Sequence, residues 1–431
     1  MRIYLEFTGC RLNQSEIETL ARQFQQAGHR VVASPDEADL FVVNTCAVTR
    51  EAARSSRTLI RRLHRANPEG EIVATGCYAH LSPDVVGALP GVGQVIDNLD
   101  KDRLVPIVLQ DNEATFDREP LVREPVAGAL GRTRAFVKVQ DGCDNRCTFC
   151  VTTIARGAGR SRPQDAVIRE IRALAEVGYQ EVVLTGVHLG SYGHDLDVRD
   201  GLADLVRAVL AETSIPRLRL SSLEPWDLEP EFFDLWQDAR LCRHLHLPLQ
   251  SGCDATLRRM GRRTSQAAFG ALVEAARARI PDLALSTDVI AGFPGETDAE
   301  FETSLAFVAA MDFMKLHVFR YSPRSGTVAA RMPDQVSPDA KKDRSARLLA
   351  LSDVGAQRFW ARFIGRELYV LWEQVTGASE AGLHNAGLSD NYVRVEMVAP
   401  RALTNTLGTV RPIAVTSRGV QAEFSSLKVV G

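Results

Sequence analysis

Residues 135–150 read Ala-Phe-Val-Lys-Val-Gln-Asp-Gly-Cys-Asp-Asn-Arg-Cys-Thr-Phe-Cys. The apolar run Ala135–Val139 predicts a strand. It leads directly into a loop that carries three cysteines, Cys143, Cys147 and Cys150. Three thiolates on one loop can bind three irons of a cubane cluster, which leaves the fourth iron open to a small chelating ligand. The alternatives are a structural zinc site and three incidental core cysteines, but zinc normally takes a fourth protein ligand, and no fourth Cys or His lies close by in sequence. The stretch therefore predicts a 4Fe–4S cluster at the carboxyl end of a strand.

The rest of the central segment repeats the pattern of a strand followed by a helix. Helix-compatible segments such as Asp165–Val177 and Ser265–Arg279 separate the apolar runs. Six such units in series predict a partial, TIM-like (βα)6 barrel, whose chemistry would lie at the carboxyl ends of the strands. The six predicted strands are Ala135–Val139, Glu181–Leu184, Arg217–Leu220, Leu245–Leu249, Leu283–Val289 and Leu316–Arg320.

A second set of three cysteines, Cys10, Cys46 and Cys77, lies in the amino-terminal segment. Each follows an apolar run, with the endings Phe-Thr-Gly-Cys, Val-Asn-Thr-Cys and Ala-Thr-Gly-Cys. Because these runs alternate with helical stretches, we expect a parallel sheet, whose strands end along one edge. The three cysteines would then converge and hold a second 4Fe–4S cluster, again with one open iron. The alternative is three buried cysteines that merely follow strands, since free cysteine is commonly buried.

The pattern divides the chain into four parts. Residues 1–115 form an N-terminal parallel α/β domain, residues 116–132 are typical of a linker, and residues 133–364 form the central barrel. Residues 365–431 carry short β-rich runs broken by Gly and Asn, which predict a small β-barrel. The fold class is therefore α/β with a small all-β domain at the carboxyl end.

The composition is ordinary for a globular protein. The 431 residues include 45% hydrophobic and 24% charged side chains, and the formal net charge is −3. This balance neither favours nor excludes nucleic acid, since local patches matter more than totals. No apolar run reaches the roughly 18–20 residues of a membrane helix, and the amino terminus lacks a signal-peptide pattern. We therefore expect a cytoplasmic protein without a membrane partner, whose eight cysteines do not form a disulfide framework.

The cysteine spacing of the central loop, with the aromatic Phe149 before its last cysteine, resembles the signature of the radical S-adenosylmethionine (SAM) superfamily. The resemblance implies that SAM chelates the open iron and that an electron from the cluster cleaves it to a 5′-deoxyadenosyl radical. It also implies that residues at the strand ends surround SAM, although the glycines among them are equally suited to plain βα turns. The implied catalytic residues are Cys143, Cys147 and Cys150, and the implied cofactor-binding residues are Phe149, Thr185, Gly186, Val187, Glu224, Gln250, Asp288 and Gly292.

With both cysteine sets, the chain resembles the methylthiotransferases over nearly its whole length. Thr8–Glu16 and Asn44–Thr49 are similar to the amino-terminal domain of that family, and the carboxyl-terminal segment is similar to its TRAM domain. One departure is residues 151–156, where the family often has a proline before Ala-Arg-Gly. Within the family, the chain is most similar to the threonylcarbamoyladenosine tRNA methylthiotransferases, in the stretches Leu184–Gly193, Leu220–Asp227, His244–Gly252, His317–Pro323 and Ala330–Pro333.

This resemblance implies a reaction. The chain would methylthiolate C2 of N6-threonylcarbamoyladenosine, 3′ of the anticodon of tRNA (position 37), with two SAM molecules. One would methylate a sulfur at the auxiliary cluster of Cys10, Cys46 and Cys77, and the other would give the radical that activates the substrate carbon. An electron donor such as flavodoxin or ferredoxin is implied as a further partner. The alternatives are a methylthiotransferase for isopentenyladenosine in tRNA or for a ribosomal-protein aspartate, and a radical SAM oxidoreductase with an electron-relay cluster.

Arginines on a helix and on loops are the candidates for RNA binding. The helix predicted over Glu51–Arg65 carries its arginines on one face, where they could neutralise tRNA phosphates, although a merely solvated face is equally consistent. Further arginines lie on loops that should flank the barrel mouth, where pairing with carboxylates is the alternative. The candidates are Arg54, Arg57, Arg61, Arg156, Arg160 and Arg262.

Overall fold

The computed structural model of the chain describes residues 1–110, 133–196, 198 and 201–424. The predicted linker, residues 116–132, lies outside the described residues. None of the helices in those ranges is long and apolar enough to cross a membrane.

The amino-terminal domain alternates strands and helices, as predicted. Its strands are β1 (Arg2–Phe7), β2 (Arg30–Val31), β3 (Leu40–Thr45), β4 (Glu71–Gly76) and β5 (Val92–Val95). Its helices are α1 (Arg11–Gln26), α2 (Arg50–Ala66), α3 (Cys77–Leu81), α4 (Pro83–Gly87) and α5 (Leu104–Leu109).

These strands form one parallel sheet in the order β2-β1-β3-β4-β5. All residues of the central strand β3 are buried, because helices cover both faces of the sheet. Leu40 and Val42 pack in the core under α1 and α5, whereas Phe41 and Val43 pack in the core under α2. The predicted parallel α/β domain is therefore confirmed, and its strand ends lie along one edge.

The central domain contains longer βα units. Its strands are β6 (Arg134–Lys138), β7 (Gln140–Asp141), β8 (Arg160–Ser161), β9 (Glu181–Thr185), β10 (Arg217–Leu220), β11 (His244–His246), β12 (Ala284–Ala291) and β13 (Lys315–Arg320). Its helices are α6 (Thr152–Arg156), α7 (Gln164–Glu176), α8 (Gly201–Glu212), α9 (Asp254–Arg259), α10 (Gln266–Arg279), α11 (Asp298–Ala310) and α12 (Pro338–Ala361).

The six predicted central strands are all present, in two parallel sheets of order β10-β9-β6 and β11-β12-β13. Parallel bridges join Leu218 to Leu241 and Ser222 to His246, so the first sheet continues from β10 towards β11 of the second. β11 ends before its predicted bound, because Pro248 has no N–H to donate to a ladder. The apolar faces of these strands and of α7, α8 and α10 share one core.

The carboxyl-terminal domain is a closed barrel of order β14-β15-β16-β18-β17, which confirms the predicted small β-barrel. The ladders connect the five strands in a ring, and Trp372 lies in the barrel core. The strands are β14 (Leu368–Ser379), β15 (Gly382–Ser389), β16 (Arg394–Ala399), β17 (Leu407–Val415) and β18 (Val420–Phe424).

Buried charges attach this barrel to the central domain. Glu181, at the start of β9, pairs with Arg217 at 2.7 Å and with Arg219 at 2.8 Å, and all three side chains are at most 2% exposed. The two guanidinium groups also donate to the carbonyl oxygens of Leu388 and Asp390 at 3.0 Å each. Because Glu181 and Arg217 begin their strands, the barrel docks at the end opposite the cysteine loops.

We expect Glu181→Gln to destabilise the protein strongly. The substitution leaves Arg217 and Arg219 buried without a counter-charge, which should cost about 3–5 kcal/mol of unfolding free energy, measured by chemical denaturation near neutral pH. The matched control is Glu302→Gln, which breaks an exposed pair with Arg347 and should cost less than about 1 kcal/mol. Equal losses in the two variants would contradict the prediction.

The carboxylate of Glu181 should also make the stability of the protein depend on pH. Burial acts to raise the pKa of Glu181, but Arg219 and Arg217 outweigh burial and lower the pKa to about 2. The ordinary value is about 4.3. The stabilisation is therefore fully present above about pH 5 and is lost as the pH falls from about 4 towards 2. Over that range, we expect the unfolding free energy of the unsubstituted chain to fall more steeply than that of Glu181→Gln.

Candidate functional site

The central cysteine loop lies beyond the carboxyl end of β6. Its thiols, Cys143, Cys147 and Cys150, are free and partly exposed. The backbone N–H of Cys150 donates to the carbonyl oxygen of Cys147 at 3.1 Å, and the N–H of Thr148 donates to that of Met260 at 2.9 Å. The loop is therefore folded back on itself and held against the end of α9.

A histidine and an arginine lie beside these thiols. The Nε2 atom of His188 is 2.5 Å from the Oδ2 atom of Asp227, and the imidazole lies close enough to Cys143 to interact with it electrostatically. Burial opposes the charge of this imidazole, but Asp227 and Cys143 raise the pKa of His188 to about 10. The Nη1 atom of Arg262 lies 3.7 Å from the Sγ atom of Cys147. Both cationic groups lie next to sulfur atoms that would be negatively charged as cluster ligands.

Arg262 is fixed in this position by Glu224. The guanidinium donates to the two carboxylate oxygens at 3.1 and 2.6 Å, and it lies 4.3 Å from the ring centroid of Trp226. Burial raises the pKa of Cys147 to about 11, and Arg262 acts against that rise. Glu224, which was predicted to bind the cofactor, is therefore connected to the cysteine loop through the guanidinium of Arg262.

The predicted SAM-contacting residues after β9 surround a buried glutamine. Thr185 ends the strand, and Val187 follows it partly buried. A Cβ at Gly186 would lie 3.0 Å from the side chain of Gln140, so a glycine there allows the close approach. The Oε1 atom of Gln140 accepts a hydrogen bond from the N–H of His188 at 2.8 Å. The end of β9 and the cysteine loop are thus connected through this side chain.

The remaining predicted SAM-contacting residues lie near the ends of β11 and β12, except for Phe149. The backbone N–H of Gln250 donates to the carbonyl oxygen of Asp288 at 2.8 Å. Phe149 packs edge-on against Phe293, with ring centroids 6.4 Å apart. A Cβ at Gly292 would clash with a side chain of α12. These residues therefore come together at the carboxyl ends of the strands.

The second cysteine set converges at the corresponding edge of the amino-terminal sheet. Cys10 follows β1, Cys46 follows β3, and Cys77 begins α3 directly after β4. Burial raises the pKa of Cys46 to about 11, and the neighbouring Cys10 and Cys77 thiols add to the rise. Residues that are far apart in sequence are thus close enough in space to interact electrostatically.

Small and hydroxyl residues shape this second set. The N–H of Cys46 donates to Thr8 Oγ1 and to Ser56 Oγ, at 3.1 Å each. Gly9 has a φ of +90°, and a Cβ there would overlap the Cys46 side chain. Gly76 has a φ of +95°, and a Cβ there would overlap the backbone of β3. Gly9 and Gly76 are therefore required for two reasons. Each has a positive φ, and each lies too close to neighbouring atoms to carry a Cβ.

One buried arginine lies between the two cysteine sets. Arg156 donates to Glu16 at 2.9 Å, to Asp141 at 2.8 Å and to Asn13 Oδ1 at 2.9 Å. Asp141 precedes the central cysteine loop, whereas Asn13 and Glu16 belong to α1, which follows Cys10. The guanidinium therefore bridges the segment before the central cysteine loop and the helix that follows Cys10.

Glu16 is the centre of the surrounding charge network. It accepts from Lys101 at 2.7 Å and from Asn44 at 2.9 Å, and Lys138 lies 3.6 Å away. Burial acts to raise the pKa of Glu16, but the three cations outweigh burial and hold the pKa well below its usual range. The carboxylate is therefore ionised in the interface between the amino-terminal and central domains.

The donor chemistry of both sets fits iron–sulfur ligation. All six thiols are free. In the described ranges, no three His, Cys, Asp or Glu side chains converge tightly enough to hold a single metal ion. In a cubane each thiolate binds a different iron, and thiolates are the ligands that such clusters prefer. The donor chemistry of the six thiols is therefore that of iron–sulfur ligands.

Two of the six candidate RNA-binding arginines are corrected by the structure. Arg156 is 2% exposed and Arg262 is 7% exposed. The prediction that they contact RNA is wrong, because each guanidinium is committed to buried or half-buried carboxylates beside a cysteine loop. The alternative of pairing with carboxylates inside the fold is the correct one for both.

The other candidate arginines are accessible. The helix predicted over Glu51–Arg65 is α2, and its apolar face is buried as expected. Arg54, Arg61 and Arg160 are exposed, and Arg57 is half-buried. These four remain candidates for RNA contact.

His188, Asp227 and Gln140 are among the residues of the site that were not assigned a role from the sequence. His188 and Asp227 lie within stretches that support the family resemblance, which is the only sequence signal for them. Their contact joins the ends of two neighbouring strand units, and no short spacing indicates it. Gln140 carries no sequence signal.

A three-cysteine loop at the carboxyl end of a series of βα units defines a radical SAM enzyme. A family model described as the Radical SAM superfamily matches residues 137–308. A second model, described as uncharacterized protein family UPF0004, matches residues 2–96 and so covers the second cysteine set.

The chain belongs to the radical SAM methylthiotransferase family, whose members transfer a methylthio group. It is 37% identical to the threonylcarbamoyladenosine tRNA methylthiotransferase MtaB of Bacillus subtilis, over 90% of this chain and 88% of that one. It is also 37% identical to MtaB of Thermotoga maritima, over 97% and 96% of the two chains. The ribosomal protein uS12 methylthiotransferase RimO of Desulforudis audaxviator is 36% identical, over 92% and 91%.

Solved structures agree on the fold. The radical S-adenosylmethionine methyltransferase TsrM of Kitasatospora setae superposes with a TM-score of 0.59 over 76% of this chain and 75% of that one. The sequence identity is 17%, so this likeness concerns the architecture alone.

We expect Arg156→Met to weaken the contact between the two domains. Loss of the guanidinium leaves Glu16 and Asp141 with fewer partners in a buried interface, which should cost about 3–5 kcal/mol of unfolding free energy in denaturant. Arg160→Met, on an exposed arginine nearby, is the matched control and should stay within about 0.5 kcal/mol. If both variants were as stable as the unsubstituted chain, the bridging role of Arg156 would be refuted.

Proposed function

We propose that the chain methylthiolates C2 of N6-threonylcarbamoyladenosine, 3′ of the anticodon of tRNA. The observation that carries the proposal is the pair of free cysteine sets joined through the buried Arg156. Relatives at 37% identity over most of the chain are named for this substrate. Two sets of three thiols, each one ligand short of closing a cubane, match a reaction that needs two reactive centres.

We assign one cluster to each cysteine set. The central set of Cys143, Cys147 and Cys150 would hold the SAM-cleaving 4Fe–4S cluster, and the set of Cys10, Cys46 and Cys77 would hold an auxiliary one. When bound, the two clusters and two SAM molecules supply a carbon-centred radical and a methylated sulfur. The inert C2–H bond of adenine makes radical chemistry the plausible route.

The chain contributes position and charge to this chemistry. The cationic groups of Arg262 and His188 lie beside the sulfurs of Cys147 and Cys143, where they favour negative charge on the ligands. The Glu224 carboxylate keeps the Arg262 guanidinium in place. Hydrogen bonds and charge near cluster sulfurs are known levers on reduction potential.

We place SAM over the carboxyl ends of the central strands, where ligands bind in this architecture. Thr185, Gly186 and Val187 would lie along its methionine part, and Gln250, Asp288 and Gly292 would line its other side. The apolar contact between Phe149 and Phe293 would keep water from the cysteine loop.

We assign the six central strands to a partial TIM-like (βα)6 barrel and the carboxyl-terminal barrel to a TRAM domain. The proposed bounds are 1–115, 133–364 and 365–431, with a linker at 116–132. The bridges that connect the two central sheets support the first assignment, and the closed five-stranded order supports the second.

We propose that tRNA is bound chiefly by the exposed arginines of α2 and by Arg160. The carboxyl-terminal barrel docks at the amino-terminal ends of the central strands, away from the cysteines. Arg57, in contrast, donates to the hydroxyl of Tyr78, which follows Cys77 directly. Arginine side chains at this edge can therefore reach RNA that is held near the auxiliary set.

An electron donor such as flavodoxin or ferredoxin completes the proposed system. Reductive cleavage of SAM consumes one electron, which a redox partner has to deliver. We place the reaction in the cytoplasm, where tRNA and such carriers meet.

The substrate is tested by mass spectrometry of tRNA nucleosides from cells with and without the gene, grown anaerobically. We expect the 2-methylthio form of threonylcarbamoyladenosine to disappear and the unthiolated nucleoside to accumulate. Re-expression of the unsubstituted chain should restore the product, and re-expression of Cys147→Ser should not.

Two other outcomes would redirect the assignment. Loss of 2-methylthio-isopentenyladenosine alone would keep the family and change the tRNA substrate. Loss of methylthiolation on ribosomal protein uS12 would favour the activity for which the Desulforudis relative is named. If none of these changed, an electron-relay role for the second cysteine set would become the better hypothesis.

The auxiliary cluster is tested by Gly9→Ala. A Cβ there overlaps Cys46, so the set should lose its geometry and the iron content after anaerobic reconstitution should fall to about half. Gly28→Ala is the matched control, because Gly28 has a similar φ of +81° but no atom within 4 Å of the added Cβ. Full iron content in both variants would count against a cluster at this position.

A further inference from the structure

A basic cleft lies beside the second cysteine set. It has a volume of about 490 Å³ and is formed by the first turns of α2, by Tyr78 and by a loop that follows β13. Four of its lining residues are arginines, and among those in the described part of the chain only Glu51 is acidic. The lining residues are Arg50, Glu51, Ala53, Arg54, Arg57, Tyr78 and Arg324.

Arg324 brings buried hydrogen-bond donors without acceptors to this cleft. Its Nε and Nη2 atoms are buried and have no hydrogen-bond partner among the described residues. Burial and repulsion from Arg50 lower its pKa below the ordinary value. A buried donor without an acceptor is costly, so the position is suited to an anion that would accept from it.

The other side of the cleft is already ordered. Arg57 donates to the Tyr78 hydroxyl at 2.9 Å, and its guanidinium lies 5.6 Å from the centroid of that ring. The amino end of α2, which begins at Arg50, adds the partial positive charge of a helix terminus. The amino-terminal domain, through α2, and the central domain, through Arg324, thus both contribute cations to the cleft.

The cleft adjoins the candidate reactive centre. Tyr78 follows Cys77 in the chain, and Arg324 interacts electrostatically with Cys46. Burial and repulsion from Arg50 lower the pKa of Lys341 of α12, so a further cation of the central domain lies near the cleft. A ligand bound here would lie next to the auxiliary cysteines.

We propose that this arginine cleft binds a phosphodiester of the substrate RNA beside the target nucleoside. The proposal rests on the proposed function, and it adds Arg324 and Arg50 as RNA-contacting residues. Guanidinium groups bind phosphate through two parallel N–H donors, which matches the free Nε and Nη2 pair of Arg324.

The arrangement favours a polynucleotide over a free anion. Arg50, Arg54, Arg57 and Arg61 lie along one helix, and a rise of about 1.5 Å per residue spreads them over roughly 16 Å. A single phosphate would meet only one or two of these groups. A strand with regularly spaced phosphates can contact the row, with its target base turned towards the cysteines.

The test is RNA binding by the full chain after anaerobic reconstitution. We would measure the fluorescence anisotropy of a labelled anticodon stem–loop across a range of salt concentrations. Arg324→Gln should weaken binding about tenfold at low salt and should reduce the slope of log affinity against log salt by about one. Arg324→Lys should restore the slope, because it keeps the charge.

The matched control is Arg207→Gln, an exposed arginine that pairs with Asp204 on α8. It should change neither the affinity nor the slope. Iron content and melting temperature verify that the variants fold. If Arg324→Gln fails that check, Arg50→Gln carries the test, because Arg50 is exposed in the same cleft.

The two proposals can fail separately. Stem–loops with and without the threonylcarbamoyl group should lose the same affinity in Arg324→Gln, because a backbone contact does not read the base. If the unsubstituted chain made no 2-methylthio product while this loss persisted, the proposed function would fail and the RNA site would stand.

The RNA site has its own contrary outcomes. Unchanged affinity and slope in a folded Arg324→Gln would overturn it. Loss of inorganic phosphate binding by calorimetry, with RNA affinity unchanged, would also overturn it, since the cleft would then serve a free anion.

Discussion

The rest of the site depends on the neutralisation of one buried carboxylate. Glu16 lies in the interface between two domains, where an unpaired charge would be prohibitively costly. Lys101 comes from its own domain, whereas Arg156 and Lys138 come from the central domain. Since Arg156 also holds the segment before the central cysteine loop, satisfying Glu16 places the two cysteine sets in a defined relation. The need to neutralise Glu16 therefore fixes how the two cysteine sets are positioned relative to one another.

Parallel strands supply the second constraint. In both α/β domains, the strands bring their carboxyl ends to one edge, so cysteines that are distant in sequence arrive together. The opposite end of the central strands is used differently. There the ion pairs of Glu181 with Arg217 and Arg219 fasten the carboxyl-terminal barrel. Among the described residues, the barrel is thus attached at the end of the strand axis opposite the cysteine loops.

Much of this arrangement could be predicted from the sequence, for identifiable reasons. Apolar periodicity located the six central strands and the amino-terminal sheet, because burial of a strand or a helix face requires that pattern. The repeated endings before Cys10, Cys46 and Cys77 indicated a shared edge. The family resemblance, through the stretches that contain His188 and Asp227, indicated the chemistry. The same reasoning failed for Arg156 and Arg262, because an arginine that contacts RNA and an arginine that neutralises a buried carboxylate look alike in a sequence.

The sequence by itself therefore determined the class of fold, the two cysteine sets and the family, since these depend on local spacing and on periodic burial. Only the tertiary structure decided which charges are paired. The partners of Glu16 come from segments on both sides of the linker region, and Arg324 meets the arginines of α2 only when two domains pack together. Coulomb interactions act between groups that are close in space, whatever their separation along the chain, and no pattern of neighbouring residues encodes that proximity.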